Sequence, residues 1–531
     1  MRALVTDNQW IYLDNITDAE EQIIWAEFSV SDDNRYIDPS QTYWDGVYRK
    51  YNRAKRRMAR PFLSYLRGVC VKHNLPLEVI DQREPWKYSV NHDISPDFLP
   101  GITLDDHQIV AIKAACNSEV GIIQAPTGSG KTEIISGICK AIDCPTVIVT
   151  EQRVVIDQIK SRLELRNVKD DIGLFYAGKR PSGQAIIVGS IQSLQNPKAL
   201  PELRPRLTTE TEAAYNKVIK RWEARANAYR TRRKNASYLQ SLVKLAEMII
   251  VDECDLATND NYKNLFRHWY KGRRRYGMSA TPFDPTKPVQ AMTLQEHLGS
   301  IISKEHRANM TAINRIVECE YNMLAVGPFD GIHDRSAFDI AIEDNLIANT
   351  SFHKIVAGIC KHFPNDGTLI LVDREKLGQA LVQQLAQDGI EAHFIYGKTA
   401  KRRRDESLRA FERRDFKVLI GGKILNRGLD LKGGCENLIL VSSGKRQSAL
   451  LQWVGRAHRI NQLGRSRVFD FFFRCNKYLY DHSKTKLKIM VDHGYKTNII
   501  FPGGTISGPD LIKRRFRVPD NFFVRSTRKP T

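Results

Sequence analysis

The sequence has no long apolar run. No stretch reaches the roughly 18 consecutive apolar residues that a membrane-spanning helix requires, and the first residues, MRALVTDNQWIYLD, lack the apolar segment of a signal peptide. These absences exclude membrane-spanning and secreted proteins from the expected classes. We therefore expect a cytoplasmic protein that does not act in a membrane.

Clustered cysteines are also missing. The chain has nine cysteines in 531 residues, and none of them forms a CxxC pair or groups with histidines. Zinc sites and disulfide frameworks both need cysteines at short, regular spacings. We therefore expect no zinc site, and isolated reduced thiols in the cores of the domains.

Acidic residues are too few to balance the basic ones. The chain has 81 Lys and Arg against 60 Asp and Glu, which gives a formal net charge of +21. A surplus of this size favours a polyanionic partner, because it raises the local concentration of phosphate groups. Nucleic acid is favoured over an acidic membrane, since no basic amphipathic stretch accompanies a lipid anchor or a long apolar segment.

The length and the apolar runs predict an α/β protein of several domains. A chain of 531 residues is too long to fold around a single hydrophobic core, since one domain typically has roughly 100 to 200 residues. Runs typical of buried parallel strands alternate with helix-like stretches in two sets: VGIIQA, TVIVT, AIIVG and MIIVDE, then TLILVD, AHFIYG, KVLIGG, NLILVS and RVFDFFF. We predict a small α+β domain over 1–97, two parallel-sheet lobes over 98–310 and 311–504, the second with a C-terminal helical extension, and a basic tail over 505–531.

Basic segments interrupt this pattern. Residues from about 201 to 240 form a polar, arginine-rich stretch that we predict to be a helical insertion in the first lobe, and the tail is expected to be extended or partly disordered. The stretch WDGVYRKYNRAKRRMAR mixes aromatic and basic residues, a composition that suits stacking on bases and binding of phosphates. For this stretch and for the insertion, a solvated helix face is an equal alternative.

The strongest local signal is the segment APTGSGKT, which begins at Ala125. It lies between the apolar run VGIIQ and the helix-like stretch EIISGICKAI. Glycines in such a loop let backbone N–H groups approach phosphate oxygens, and the next helix directs its positive end at the same anion. The residues predicted to bind the nucleotide are Thr127, Gly128, Ser129, Gly130, Lys131 and Thr132, and the Thr132 hydroxyl is also expected to ligate Mg²⁺.

An acidic pair follows another apolar run. Asp252 and Glu253 come directly after AEMIIV, at the carboxyl end of a predicted strand, where α/β sheets bind ligands. In a chain with a phosphate-binding loop, we predict that Asp252 holds Mg²⁺ and that Glu253 is the general base for an attacking water. The segment SATP at 279–282 is expected to couple the acid pair to other groups.

Two arginines stand near the end of the second lobe. The segment QWVGRAHR places Arg456 and Arg459 three residues apart, hence on one face of a predicted helix. Guanidinium groups suit the charge that develops on a transferred phosphoryl group, and a solvated basic face is the alternative. Asp430, in NRGLD, is expected to receive an arginine or a ribose hydroxyl, or to form an ordinary turn.

Taken in order, APTGSGKT, VDECD, SATP, NRGLD and QWVGRAHR resemble the motif set of superfamily 2 helicases, over residues from about 100 to 475. The resemblance implies two RecA-like lobes and the ligands ATP and Mg²⁺. It also implies adenine contact by Gln108 and a catalytic role for Gln452 beside the arginines. The nucleic-acid contacts that we expect are Arg153, Ser190, Gln192, Arg374, Lys423 and Arg427.

Softer features resemble the UvsW-type recombination helicases of phages and their XPB- and RecG-like relatives. They are LPLEVIDQR, HLGSII and YLYDHSKTKLKIMVDHGY. The implied substrate is branched DNA in recombination, repair or replication restart, such as forks, D-loops or Holliday junctions. Single-strand-binding or recombination proteins are candidate partners, and the location is the host cytoplasm if a phage encodes the chain. An RNA helicase, or a nucleic-acid-binding protein that uses ATP as a switch, stays open.

Overall fold

The structure is a computed structural model that describes residues 1–31, 45–126, 128–151, 153–197, 199–200, 202–284, 287–306, 317–327, 338–397, 399–422, 434–442, 444, 447–457, 461 and 463–517. The chain divides into two compact units, and each is described by itself. Unit one comprises Met1–Ala125 and Gly130–Glu305, and unit two comprises Pro126–Ser129 and His306–Thr531.

Unit one begins with a small α+β domain. Its elements are β1 (Arg2–Val5), β2 (Trp10–Asp14), α1 (Asp18–Glu27), β3 (Ser29–Ser31), β4 (Val47–Arg49), β5 (Arg57–Ala59), α2 (Leu63–Lys72) and β6 (Glu78–Asp81). Four strands form a sheet in the order β5-β2-β1-β6, with β6 parallel to β1. A capping box starts α1, because Thr17 and Glu20 each accept the other's backbone N–H.

The basic, aromatic stretch of this domain is not the helix raised as an alternative from its sequence. Its described part forms β4 and β5 with a turn between them, and β5 pairs with β2. Tyr51 is 2% exposed, and its hydroxyl donates to Glu21 at 2.7 Å. Since a tyrosine in the core cannot stack on bases, Tyr51 does not take part in the stacking that the composition of this stretch suggests.

The remainder of unit one is an α/β lobe. Its elements are α3 (Asp106–Asn117), β7 (Val120–Gln124), α4 (Lys131–Ala141), β8 (Thr146–Thr150), α5 (Arg153–Leu165), β9 (Ile172–Phe175), β10 (Ile186–Ser190), α6 (Glu212–Leu245), β11 (Met248–Asp252), α7 (Asp260–Asn264), β12 (Arg274–Ser279), α8 (Pro288–Leu298) and β13 (Ile301–Lys304). The seven strands are parallel, in the order β13-β7-β12-β11-β8-β10-β9. The predicted apolar runs are central strands of this sheet, buried as a parallel sheet requires.

Glu119 joins the small domain to this lobe. Its carboxylate, directly before β7, accepts hydrogen bonds from Arg60 and Arg83 of the small domain and from Arg273 of the lobe. Burial acts to raise the pKa of Glu119, but the arginines outweigh it, and the pKa lies below its ordinary value. The ionised carboxylate therefore holds the two parts of unit one together.

The arginine-rich stretch is a single long helix, α6, of 34 residues. Thr211 caps its start, and most of its residues are polar and exposed. Its last turns are anchored in the lobe, because Leu239 and Val243 are buried and the Tyr238 hydroxyl donates to the Pro181 carbonyl at 2.7 Å. The predicted helical character is therefore observed, from 212 to 245.

Unit two contains a second parallel sheet. Its elements are β14 (Glu318–Val326), α9 (Phe338–Ile342), α10 (Thr350–His362), β15 (Thr368–Val372), α11 (Glu375–Gln387), β16 (Ala392–Ile395), α12 (Lys401–Glu412), β17 (Val418–Gly421), β18 (Asn437–Val441), α13 (Gln447–Val454), β19 (Arg465–Phe473), α14 (Lys477–Asp492), β20 (Lys496–Phe501), β21 (Gly504–Ser507) and α15 (Gly508–Lys513). The order is β16-β17-β15-β18-β19-β14-β20-β21, and β21 alone of these strands is antiparallel to its neighbour. The predicted fold, two parallel-sheet lobes after a small α+β domain, is confirmed.

The expectation of an irregular tail from 505 is wrong for its first residues. Pro502 and Gly503 do not begin an irregular segment. They form the turn of a β-hairpin in which Phe501 pairs with Gly504. Helix α15 follows directly, and its Leu511 is fully buried. Residues 518–531 lie outside the described part of the chain. Within the described ranges, none of the helices has the length and apolarity to cross a bilayer.

Candidate nucleotide and nucleic-acid sites

Three sequence motifs follow three neighbouring strands of the first lobe. β12 lies between β7 and β11, and its register pairs Ser279 with Gln124 and Met278 with Asp252. The Ala125 N–H donates to the Ser279 carbonyl at 3.0 Å. Because the strands are parallel and end together, Ala125 at the start of the phosphate-binding loop, the acidic pair and SATP share one edge of the sheet.

The phosphate-binding loop has the backbone that its glycines allow. Gly128 and Gly130 have φ angles of 91° and 77°, values that residues with a Cβ rarely adopt. Gly130 caps α4, and a Cβ at this position would collide with the side-chain amide of Gln108. The loop therefore requires glycine at 130 for its conformation, and a Cβ there would also force the Gln108 amide to move. Thr127 lies outside the described residues.

Lys131 and Asp252 lie close enough to interact electrostatically. The Lys131 ammonium donates to the Ala125 carbonyl at 3.1 Å. Burial raises the pKa of the Asp252 carboxyl, and the Lys131 ammonium partly opposes that rise. The next residue, Glu253, has a φ of 53°, and a left-handed backbone at a residue with a side chain costs about 1 kcal/mol or more. The chain thus turns sharply where β11 ends.

Asp255 and Ser279 connect the acidic segment with SATP. The Ser279 hydroxyl donates to Asp255 at 3.0 Å and accepts the Thr281 N–H at 3.1 Å. Burial raises the pKa of Asp255 to about 6, against the opposing effect of the Ser279 hydrogen bond. Sequence reasoning named SATP as a coupling segment but did not identify Asp255 as the residue to which it is bonded.

These residues fit a nucleotide with Mg²⁺. The Thr132 hydroxyl and the Asp252 carboxylate supply the oxygen ligands that Mg²⁺ prefers. The start of α4 supplies N–H groups and the positive end of the helix dipole for phosphate oxygens. A carboxylate that burial makes costly to ionise, as at Asp252, is stabilised by a bound cation.

Gln108 lies beside this loop and also caps its own helix. It is 3% exposed, and its side-chain oxygen accepts the Asp105 N–H at 3.1 Å. The amide nitrogen is the group nearest to Gly130. The structure therefore brings Gln108 to the phosphate-binding loop, while its contact with adenine stays a prediction.

Arg166 is a residue of this region that sequence reasoning missed. Its guanidinium donates to both carboxylate oxygens of Glu133, at 2.9 and 3.0 Å, and to the carbonyls of Pro100 and Gly101. Glu133 lies in the first turn of α4, and both side chains are buried. No local pattern around Arg166 signals this bond, because the partners come from separate segments.

In unit two, the arginine segment departs from the predicted helix. Helix α13 carries Gln452 and ends at Val454, so Arg456 lies in the turn that follows. The expectation that Arg456 lies on a helix is wrong, because Gly455 comes directly after the last helical residue. The backbone then forms a tighter turn, in which the Arg456 N–H donates to the Trp453 carbonyl three residues earlier. Arg459 lies outside the described residues.

The nucleic-acid contacts expected in unit two are only partly described. Arg374 precedes α11, is exposed, and forms an ion pair with Asp339 at 3.0 Å. Lys423, Arg427 and Asp430 lie outside the described residues. Of this set, the structure therefore locates Arg374 alone.

The contacts expected in unit one come together in a single cleft. Arg153, Ser190 and Gln192 line a cleft of about 910 Å³ with residues of α6, among them Arg232 and Asn235. Ser190 is buried and its hydroxyl donates to Gln192, whereas Arg153 is exposed. The sequence predicted a basic insertion but gave no sign that it lies beside Arg153, since the segments are distant along the chain.

Two protein-family models match this chain. The model described as the res subunit of type III restriction enzymes matches residues 101–284. The model described as the helicase conserved C-terminal domain matches residues 351–461. The first match contains the phosphate-binding loop, the acidic pair and SATP, and the second contains the segment with Gln452 and Arg456.

Curated relatives carry helicase names. The chain is 23% identical over 363 residues to putative helicase 22 of Sulfolobus islandicus filamentous virus, a match that covers 64% of this chain and 58% of the viral protein. It is 27% identical over 104 residues to the ATP-dependent RNA helicase vasa of Drosophila melanogaster, which covers 20% of this chain and 16% of vasa. The chain thus spans less than two thirds of the length of these relatives.

Two solved structures follow a similar course over most of the chain. The crystal structure of UvsW from bacteriophage T4 covers 94% of this chain and 98% of its own, at 12% identity and a TM-score of 0.40. Saccharomyces cerevisiae Dbp5 bound to RNA and ADP BeF3 covers 75% of this chain and 90% of its own, at 14% identity and a TM-score of 0.48.

Proposed function

Because this chain belongs to the superfamily 2 helicases, a family of ATP-hydrolysing enzymes, we propose that it is an ATP-driven motor that remodels branched DNA. The observation that carries the motor proposal is the common edge of β7, β12 and β11, where Lys131, Asp252 and Ser279 meet. A net charge of +21 and the basic cleft beside α6 support a nucleic-acid substrate.

In this proposal the first lobe binds and orients the triphosphate. The N–H groups at the start of α4 and the Lys131 ammonium contact the β and γ phosphates. Thr132 and Asp252 would hold Mg²⁺, which when bound would neutralise charge on the phosphate oxygens. The hydrogen bonds of Gln108 and Arg166 to neighbouring segments fix the position of the loop and of α4.

Glu253 is proposed to activate the attacking water. Its carboxylate takes a proton from the water while the water oxygen bonds to the γ-phosphorus and the bond from that phosphorus to the β–γ bridging oxygen breaks. The products are ADP and phosphate, with the proton first held on Glu253. Gln452, Arg456 and Arg459 remain the groups predicted to stabilise charge on the transferred phosphoryl group.

The cleft of unit one is proposed to hold one strand of the nucleic acid. Arg153, Lys179 and Arg232 supply cations at its lining, and Ser190, Gln192 and Asn235 supply neutral hydrogen-bonding groups. Such a lining suits a sugar-phosphate backbone and reads no sequence, as a translocating motor requires.

ATP hydrolysis with different stimulating nucleic acids tests this function. We expect forked DNA to stimulate hydrolysis more than single-stranded DNA or RNA of the same length does, and we expect unwinding of forks and four-way junctions. Stronger stimulation by RNA would favour an RNA helicase. No stimulation by any of them would favour a binding protein that uses ATP as a switch.

A further inference from the structure

Helix α6 lines two separate depressions of unit one. Ala228, Thr231, Arg232, Asn235 and Leu239 face the cleft that contains Arg153. Tyr229, Arg230, Arg233, Lys234 and Ser237 line a second depression of about 530 Å³ together with Leu200. The two linings share no residue. With a helical rotation of about 100° per residue, the two sets point in directions about 170° apart, so α6 forms a wall between them.

The second depression carries the chemistry of a nucleic-acid surface. Its charged lining residues, Arg230, Arg233 and Lys234, are all basic. None of the three is ion-paired with an acidic residue within the described part of the chain. Tyr229, a half-buried residue of the same lining, offers an aromatic ring to a base. Exposed cations that no carboxylate neutralises favour a polyanion.

The wall is rigidly attached to the lobe next to both depressions. The Tyr238 hydroxyl donates to the Pro181 carbonyl at 2.7 Å, and the Gln240 amide donates to the Leu194 carbonyl at 2.7 Å. Arg180 lies over the Tyr238 ring at 4.8 Å. Leu239 is buried in the lobe's core. A helix held in this way keeps the residues that line the two depressions at fixed positions.

We propose that the second depression, which we call the outer face of α6, binds a second nucleic-acid strand, so that α6 separates two strands of a branched substrate. The inference rests on the proposed function, since it takes the cleft with Arg153 as the path of the first strand. It adds a separate strand-binding surface and gives the arginine-rich helix a role in holding the strands apart.

Site-directed photo-crosslinking tests the separation. All nine cysteines are buried, so a thiol-reactive crosslinker should label a new cysteine selectively in the full-length protein. Thr231→Cys places the label on the cleft side and Ser237→Cys places it on the outer face, and both positions are exposed. On a fork with separately labelled strands, we expect the two variants to crosslink different strands.

Other crosslinking results would overturn the inference. If both labels capture the same strand, or if Ser237→Cys captures none while Thr231→Cys captures one, α6 does not separate strands, although the proposed motor function stands. If neither label captures DNA and DNA does not stimulate ATP hydrolysis, the proposed function itself fails.

Binding measurements provide a second readout. The triple variant Arg230→Gln, Arg233→Gln, Lys234→Gln should lose about tenfold in affinity for forked DNA and keep its affinity for single-stranded DNA within about twofold. The control Lys217→Gln, Lys220→Gln, Arg221→Gln makes the same charge change on α6 outside both linings. Equal losses in the two variants, or equal losses for fork and single strand, would reduce the effect to net charge and contradict a second strand site.

Discussion

The Ser279 hydroxyl donates to a carboxylate oxygen of Asp255 across 3.0 Å. This bond ties the end of β12 to the segment after β11, two residues beyond Glu253. If Glu253 acts as the proposed general base, we therefore expect a shift of the acidic segment to move SATP as well. Burial raises the pKa of Asp255 to about 6, so this connection between the two segments is also sensitive to pH.

Replacing Asp255 by Asn should flatten the pH dependence of stability. The pKa of an unfolded Asp is near the ordinary value of 3.8, whereas the pKa of the folded Asp255 is about 6. Between these two pH values the folded state binds more protons than the unfolded state. Rising pH therefore lowers the free energy of unfolding. We expect the wild type to lose about 2 to 3 kcal/mol more than Asp255→Asn between pH 4 and 7. Denaturant unfolding at both pH values measures this. Asn still accepts the Ser279 hydroxyl, and equal losses would contradict the raised pKa.

Lys131→Ala and Glu253→Gln should both abolish ATP hydrolysis, but through different steps. Lys131→Ala removes a phosphate contact and should weaken ATP binding as well. Glu253→Gln removes only the general base, so binding should persist while turnover falls by about 10² to 10⁴. Nucleotide binding by fluorescence and turnover by phosphate release separate the two. Wild-type turnover in either variant would refute the site.

Arg166→Met should destabilise unit one and weaken ATP binding. Among the described residues, the substitution leaves Arg162, at 3.1 Å, as the ion-pair partner of the buried Glu133. Breaking a buried ion pair costs about 3 to 5 kcal/mol. Because Glu133 lies in the first turn of α4, the KM for ATP should rise more than kcat falls. The double variant with Glu133→Gln removes the stranded charge and should recover much of the stability. No recovery would show that Arg166 acts mainly through Pro100 and Gly101.

Local patterns predicted the parts of the site that the chain forms locally. The runs that became β7 and β11 are apolar throughout because a parallel sheet buries both faces, and the glycines after β7 follow from the backbone of the loop. Long-range partners left no such pattern: Arg166 beside Glu133, or α6 beside Arg153. The spacing of Arg456 and Arg459 predicts a helix that continues through both residues, but the helix ends at Val454, directly before Gly455.

Arg456→Ala tests the arginine assignment in unit two. A group that contacts the phosphoryl group mainly in the transition state should affect kcat far more than nucleotide affinity. We expect turnover to fall by about 10³ or more, with ATP affinity within a few fold of the wild type. Arg474→Ala, on the same unit beyond β19, is the matched control and should retain activity. A parallel loss of affinity would assign Arg456 to ground-state binding.

Arg232→Gln tests whether the cleft of unit one holds a phosphate backbone. Each phosphate contact adds about 0.7 to the slope of log affinity against log salt for single strands, so removal of a contacting arginine should reduce that slope by about this amount. Arg232 lines the cleft with Arg153, whereas Arg225 on the same helix lines neither depression. Arg225→Gln should therefore leave the slope unchanged. Titration of single-stranded DNA at several salt concentrations distinguishes the two, because a general effect of net charge would alter both variants equally.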